Sequence, residues 1–291
     1  MAIPATGPVP LPLWATGAPP GERAFADQPL EEPYLTPYLL PGDSPRACVI
    51  ICPGGGYHRR AEHEGAPLAR WCNRLGLHAA VLDYRVKARF PASLNDAKRA
   101  LRLVRQRAGE WRNDPARVGI LGYSAGGHLA ASASTLFDLG DPAAADPIDR
   151  QSSRPDASIL CYPVITAFDQ RHHGSIEVLL GAEPWDAAAR ARVSIERQVT
   201  AATPPAFIWH TADDGAVPVV NALGYATALA AHQVPFALHV FPHGRHGLGL
   251  ASEEPTVAAW GPLCARWLAE IGFVGLRGRS EAHPERSRSS S

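Results

Sequence analysis

Lysine is almost missing from this 291-residue chain: Lys87 and Lys98 are the only two, and the other basic residues are arginines. We read this as compositional bias. Net charge is absent too, with 28 basic against 28 acidic residues, so no global field draws in nucleic acid or an anionic membrane, and neither is expected as a partner. Cysteine is scarce and unpatterned. Cys48, Cys52, Cys72, Cys161 and Cys264 are odd in number and form no CxxC pair, which excludes a secreted disulfide framework and a zinc ribbon. Cys48 and Cys52 share a face of a strand-like run but stand too far apart to bridge. No apolar run approaches the ~20 residues of a membrane span. The opening MAIPATGPVPLPLW has no basic stretch and is broken by prolines, a poor signal peptide, so the default expectation is a cytoplasmic protein. What is present, 46% hydrophobic and 19% charged residues, describes an ordinary globular chain.

Residues 1–33 are Pro- and Gly-rich without periodicity and are expected as an extended arm on a domain covering 34–274. Residues 275–291 (GLRGRSEAHPERSRSSS) are expected to be a disordered tail. Between them strands and helices alternate. ACVIIC (47–52) reads as a strand buried on both faces, and further strands are expected at 77–82, 118–121, 157–162, 206–210 and 236–241. Helices are expected at 65–75, 91–111, 125–136, 219–231 and 256–271, with irregular helical composition over 166–200. Such alternation implies right-handed βαβ units and a mainly parallel sheet with helices on both faces.

Gly122-Tyr123-Ser124-Ala125-Gly126 is a G-x-S-x-G sequence, directly after the expected strand VGIL and directly before a helix. A nucleophile on so sharp a turn needs small neighbours, and the helix N-terminus favours a developing oxyanion. Serine also needs a base and a group that orients the base. Candidates follow later strands. Asp213 and Asp214 lie after AFIWH, with Asp214 preferred, and His243 and His246 lie after FALHVF, with His246 preferred. Both pairs sit just past C-terminal strand ends, where sites in open α/β sheets form. A metal site built on His239, His243 and His246 is disfavoured, because no Cys or carboxylate completes a set. No metal and no cofactor is expected.

These segments together resemble an α/β-hydrolase-fold carboxylesterase of the hormone-sensitive-lipase-like and acetyl-xylan-esterase-like kind. The resemblance rests on PGGGY (53–57), LDYR (82–85), FPASLND (90–96), DPARVGILGYSAGGHLAA (114–131), HTADDGAVP (210–218) and HGRHGLGL (243–250), in the family's order over roughly 34–271. It implies an α/β-hydrolase fold without a large cap domain. It assigns Asp214 through D-x-x-V-P and His246 through G-x-H-G as partners of Ser124. PGGGY becomes the oxyanion loop, with donors at Gly55, Gly56 and Ala125 and Gly54 competing. One departure is Pro53, where related esterases often carry His. Tyr57 and Tyr123 are expected at the substrate entrance, where His58, Arg59 and Arg60 could join them. His172-His173 is expected as exposed loop, and Asp83, Arg85 and Asp96 as structural. The implied activity is serine esterase chemistry on short, acetyl-type esters of small molecules or oligosaccharides. Competing readings are a peptidase of the prolyl-oligopeptidase kind, disfavoured by the short segment before the core, and a non-catalytic binding module, disfavoured because every triad member is present.

Overall fold

The computed structural model describes residues 8–14 and 31–275. ACVIIC forms most of β3 (Arg46–Cys52), in which Cys48, Ile50 and Cys52 enter one core while Ala47, Val49 and Ile51 enter the other. Alternate side chains of a strand leave opposite faces, so a continuous apolar run of this length needs cover on both sides. Parallel partners flank β3: β4 (His78–Asp83) on one side and β5 (Asn113–Tyr123) on the other. Outward from β5 lie β6 (Ala157–Cys161), β7 (Ala206–Thr211) and β8 (Phe236–Phe241), all parallel. Beyond β4, antiparallel β2 (Tyr34–Tyr38) and the two-residue β1 (Leu11–Pro12) complete the order β1-β2-β4-β3-β5-β6-β7-β8. This is the α/β-hydrolase arrangement.

Helices α1 (Ala66–Arg74) and α9 (Trp260–Glu270) cover one face through Leu68, Trp71, Trp260 and Leu268. The other face carries α2 (Ala92–Gln106), α4 (Ala125–Thr135) and α7 (Val220–Ala231), through Leu101, Leu129 and Leu229. The single helix expected over 91–111 breaks at Arg107, leaving a short α3 (Ala108–Trp111) that ends at a left-handed Arg112. The helix expected over 256–271 likewise divides at Ala259, with α8 (Pro255–Ala258) first.

The expected arm is partly sheet: Leu11 pairs with Leu35, Leu13 is buried, and the Trp14 indole donates to Asp96 Oδ1 at 3.2 Å. Proline is tolerated there because β1 is an edge strand. The arginines of α2 tie down the polar loop around 138–156: Arg99 binds Asp146 and Asp149, Arg102 binds Asp138 and Arg105 binds Asp156. The tail expected over 275–291 lies, from 276 on, outside the described residues.

Arg85 and Asp96 form a fully buried pair, Nη2 to Oδ1 2.7 Å, while Asp83 turns instead to Arg60 at 3.3 Å. Removing either member of the buried pair would strand a charge at a cost of about 3–5 kcal/mol. All five cysteines are buried and free. The insertion over 166–200 holds α5 (His173–Leu180) and α6 (Ala187–Arg192), and it sinks Ile176, Val178, Leu179 and Ile195 into the main core.

Candidate active site

Ser124 separates β5 from α4 with φ 53° and ψ −117°, a conformation that a non-glycine residue holds only at a cost of roughly 1–3 kcal/mol. Its surroundings enforce it. The Ser124 amide donates to Cys161 O at 3.0 Å, and its carbonyl accepts from His128 N at 3.0 Å and Val164 N at 3.1 Å. The flanking glycines are steric requirements: a Cβ on Gly122 would stand 2.0 Å from Gly126 O, and one on Gly126 would stand 2.1 Å from Cys52 O.

The loops after β7 and β8 bring two more side chains to the serine. Ser124 Oγ donates to His246 Nε2 at 2.8 Å, and His246 Nδ1 donates to Asp214 Oδ2 at 2.6 Å. Asp214 Oδ1 accepts the amides of Ala216 and Val217 at 2.9 and 3.0 Å. His210, buried beside it, donates from Nε2 to Val217 O at 2.8 Å and lies 3.3 Å from Asp214 Oδ2. Burial alone pushes the Asp214 carboxyl up, but bonds from His210, His246 and the Val217 amide outweigh it and hold the carboxyl well below the usual carboxylate range. The neighbouring candidates pair with each other: Asp213 Oδ2 accepts from His243 Nδ1 at 2.9 Å, with the His243 side chain 86% exposed. Two Asp–His pairs thus stand side by side, and one of them reaches Ser124.

PGGGY follows β3 and passes beside Ser124. The Gly54 amide is taken by Glu64 Oε2 at 2.8 Å, which removes it from competition as an oxyanion donor. Among the hydrogen bonds of the described residues the amides of Gly55 and Gly56 donate to no protein acceptor. Ala125 stands in the first turn of α4, where an amide has no carbonyl one turn back. Pro53 keeps a structural use without an N–H, since its carbonyl accepts the Tyr84 hydroxyl at 2.7 Å.

The side chains of Tyr57 and Tyr123 do not reach the entrance. Tyr57 has φ 62°, which turns its ring inward, and its hydroxyl donates to His128 Nδ1 at 2.8 Å. Tyr123, the last residue of β5, points into the core between Tyr162 and Trp260. Both are buried, so neither ring is open to a substrate, contrary to expectation. Arg60 is likewise occupied, by Tyr84 O and Glu31.

His128 Nε2 donates to Val193 O at 2.8 Å, and burial holds the imidazole neutral, down to about 4. An unfolded histidine titrates near 6.5, so below that pH the unfolded chain takes up a proton that the fold refuses. Stability should therefore fall as pH drops from about 6.5 to about 4, by roughly 3 kcal/mol from His128. His78, His172 and His239, also held low by burial, add to the same slope. Urea midpoints across that window measure it, and a slope undiminished in His128→Gln would refute the assignment to His128.

Three residues had no signal in the sequence. Glu64 lies ten residues after Gly54 and Tyr162 directly after β6, and the two contact each other. His172, expected as exposed loop, is half-buried and caps α5, with Nδ1 accepting the Ser175 amide at 3.2 Å and lying 2.8 Å from Ser175 Oγ. Its ring also stands 3.8 Å from where a Gly56 Cβ would be. Burial above all holds it below the usual histidine range. Its partner His173 lies against Trp185. Among the described residues no group of three or more His, Cys, Asp or Glu could hold a metal ion, and no helix is long and apolar enough to cross a membrane.

The BD-FAE family model matches residues 38–229, a span that holds the PGGGY loop, Ser124 and Asp214. The chain belongs to the BD-FAE family. It is 40% identical over 230 residues to endo-1,4-β-xylanase B of Butyrivibrio fibrisolvens, covering 76% of this chain and 35% of that protein. It is 34% identical over 221 residues to the acetylxylan esterase of Xylanibacter ruminicola, covering 74% of this chain and 43% of that one. The matched regions thus span less than half of either relative. The acetyl ester-xyloside bifunctional hydrolase of Caldicellulosiruptor lactoaceticus superposes with a TM-score of 0.88 at 46% identity, covering 94% of this chain and all of that one.

Proposed function

We propose that the protein is a serine carboxylesterase that removes short acyl groups, acetyl above all, from hydroxyl-rich alcohols such as acetylated sugars or xylan fragments. The observation that carries this reading is the continuous hydrogen-bonded line from Ser124 Oγ through His246 to Asp214 Oδ2. Ser124 Oγ attacks the ester carbonyl while His246 Nε2 takes its proton, and Asp214 holds the imidazole tautomer. The amides of Gly55, Gly56 and Ala125 receive the oxyanion. His246 then returns the proton to the leaving alcohol, and a water deprotonated by His246 hydrolyses acyl-Ser124. Support for the acyl and alcohol classes comes from the names of the relatives and from the polar border of the oxyanion loop, where His58, His172 and Ser175 lie within 3.6–3.9 Å of a Gly56 Cβ position.

A burying acyl tunnel would add ~0.8 kcal/mol per CH₂ to transition-state binding. We expect no such gain: kcat/KM over C2 to C12 4-nitrophenyl esters should be greatest at C2 and fall thereafter. Acetate should also be released from acetylated xylo-oligosaccharides. A maximum at C8 or beyond would refute the short-acyl assignment, and failure to release acetate would remove the sugar.

A further inference from the structure

Glu64 is a buried carboxylate that the scheme above leaves unused. It is 2% exposed, at the end of the 3-10 turn Glu62–Glu64 before α1. Each oxygen accepts one hydrogen bond, and His63 Nε2 also stands 3.6 Å from Oε1. Oε2 accepts the Gly54 amide at 2.8 Å, and Oε1 accepts the Tyr162 hydroxyl at 2.6 Å. The Tyr162 oxygen in turn accepts the Gly249 amide at 2.8 Å, three residues beyond His246. The Tyr162 ring also meets the His246 imidazole edge-on, centroids 4.9 Å apart. Alongside, His63 Nε2 bonds Gly247 O at 3.0 Å.

Desolvating a carboxylate against an amide and a phenol costs stability that an apolar side chain would not. What the arrangement accomplishes is geometric. The oxyanion loop follows β3, the Tyr162 turn follows β6 and the His246 loop follows β8, and no chain connection sets the spacing between them. By binding Gly54, Glu64 orients the loop so that the next two amides stay unspent. Through Tyr162 and Gly249 it fixes where the histidine loop returns. We infer that Glu64, acting through Tyr162, is a positioning residue that holds the oxyanion loop and the His246 loop in one register. This rests on the esterase reading above.

Glutamine at position 64 keeps the shape but replaces one acceptor by an NH₂, so either Gly54 N–H or the Tyr162 hydroxyl loses its partner. The test is kcat and KM on 4-nitrophenyl acetate for wild type, Glu64→Gln, Tyr162→Phe and the double variant, per site titrated with a serine-reactive phosphonate, with thermal midpoints in parallel. Each single change should lower kcat roughly 10- to 100-fold, as small displacements of catalytic groups do. KM should stay within about threefold, since the lost interactions act in the transition state. The double variant should be no worse than Glu64→Gln alone, because both changes cut one network. A lowered midpoint with unchanged kcat per titrated site would make Glu64 a stability element and overturn the inference, as would additive losses. If Glu64→Gln does not fold, Tyr162→Phe, which deletes one oxygen, decides alone: unchanged kcat overturns the inference. A wild type that hydrolyses no ester would fell the functional reading, and this inference with it.

Discussion

Ser124→Ala is expected to lower ester hydrolysis by roughly 10⁵- to 10⁶-fold, the scale on which loss of a triad nucleophile acts. Alanine supplies the same Cβ in the same strained turn, and the bonds that enforce φ 53° are all to the Ser124 backbone, so the fold should persist. What disappears is the single Oγ that donates to His246. The neighbouring hydroxyls cannot substitute, since Ser132 and Ser134 donate to the carbonyls of His128 and Ala130 inside α4. A phosphonate adduct on the wild-type protein should map by peptide mass to Ser124. An adduct on another serine would move the nucleophile and overturn the elbow assignment.

Asp214→Asn should lower kcat by about 10⁴-fold and Asp213→Asn by no more than a few-fold. The reason lies in which oxygen does what. Asp214 Oδ1 accepts two amides, so an asparagine must keep its carbonyl there and present its NH₂ to His246 Nδ1. Nδ1 is then forced to accept, the imidazole proton moves to Nε2, and Nε2 no longer takes the serine proton. Asp213 holds Gly244 N and the exposed His243, neither of which touches Ser124. The reverse ranking of the two variants would transfer the acid role to Asp213. Asp214→Asn should also alter acid stability. A carboxyl held low in the fold contributes stability that is present above the unfolded value near 3.9 and is lost as pH falls below it, so the variant should show less acid destabilisation there.

The elements of the sheet were legible in the sequence because their signals are local. ACVIIC, VGIL and AFIWH are unbroken apolar runs of strand length, and they became β3, part of β5 and most of β7. The antiparallel edge was not legible, because Leu11–Pro12 and Tyr34–Tyr38 contain proline and make a strand only by pairing with residues far along the chain. The breaks at Arg107 and Ala259 were not expected either, although Pro262, which has no N–H to continue a ladder from α8, sits in the first turn of α9.

For the site, the sequence by itself determined the turn that carries Ser124, since Gly122 and Gly126 are required by backbone contacts of the turn itself and of the strand beside it. It also narrowed the candidates beside Ser124 to two nearby aspartates, Asp213 and Asp214, and two nearby histidines, His243 and His246. Which of these pairs reaches Ser124 took tertiary structure, because Asp213 and Asp214 have opposite environments that depend on which residue of the loop after β8 each meets. The same holds for Gly54, whose amide looks available until Glu64 is folded against it. Tyr57 and Tyr123 adjoin the motifs in sequence and yet are buried, because a left-handed turn and strand alternation point their rings into the core. His172 stands beside the oxyanion loop only because the insertion folds back over it. Adjacency along the chain reports where a backbone passes, whereas direction and partnership of a side chain are fixed by contacts among residues tens to hundreds of positions apart.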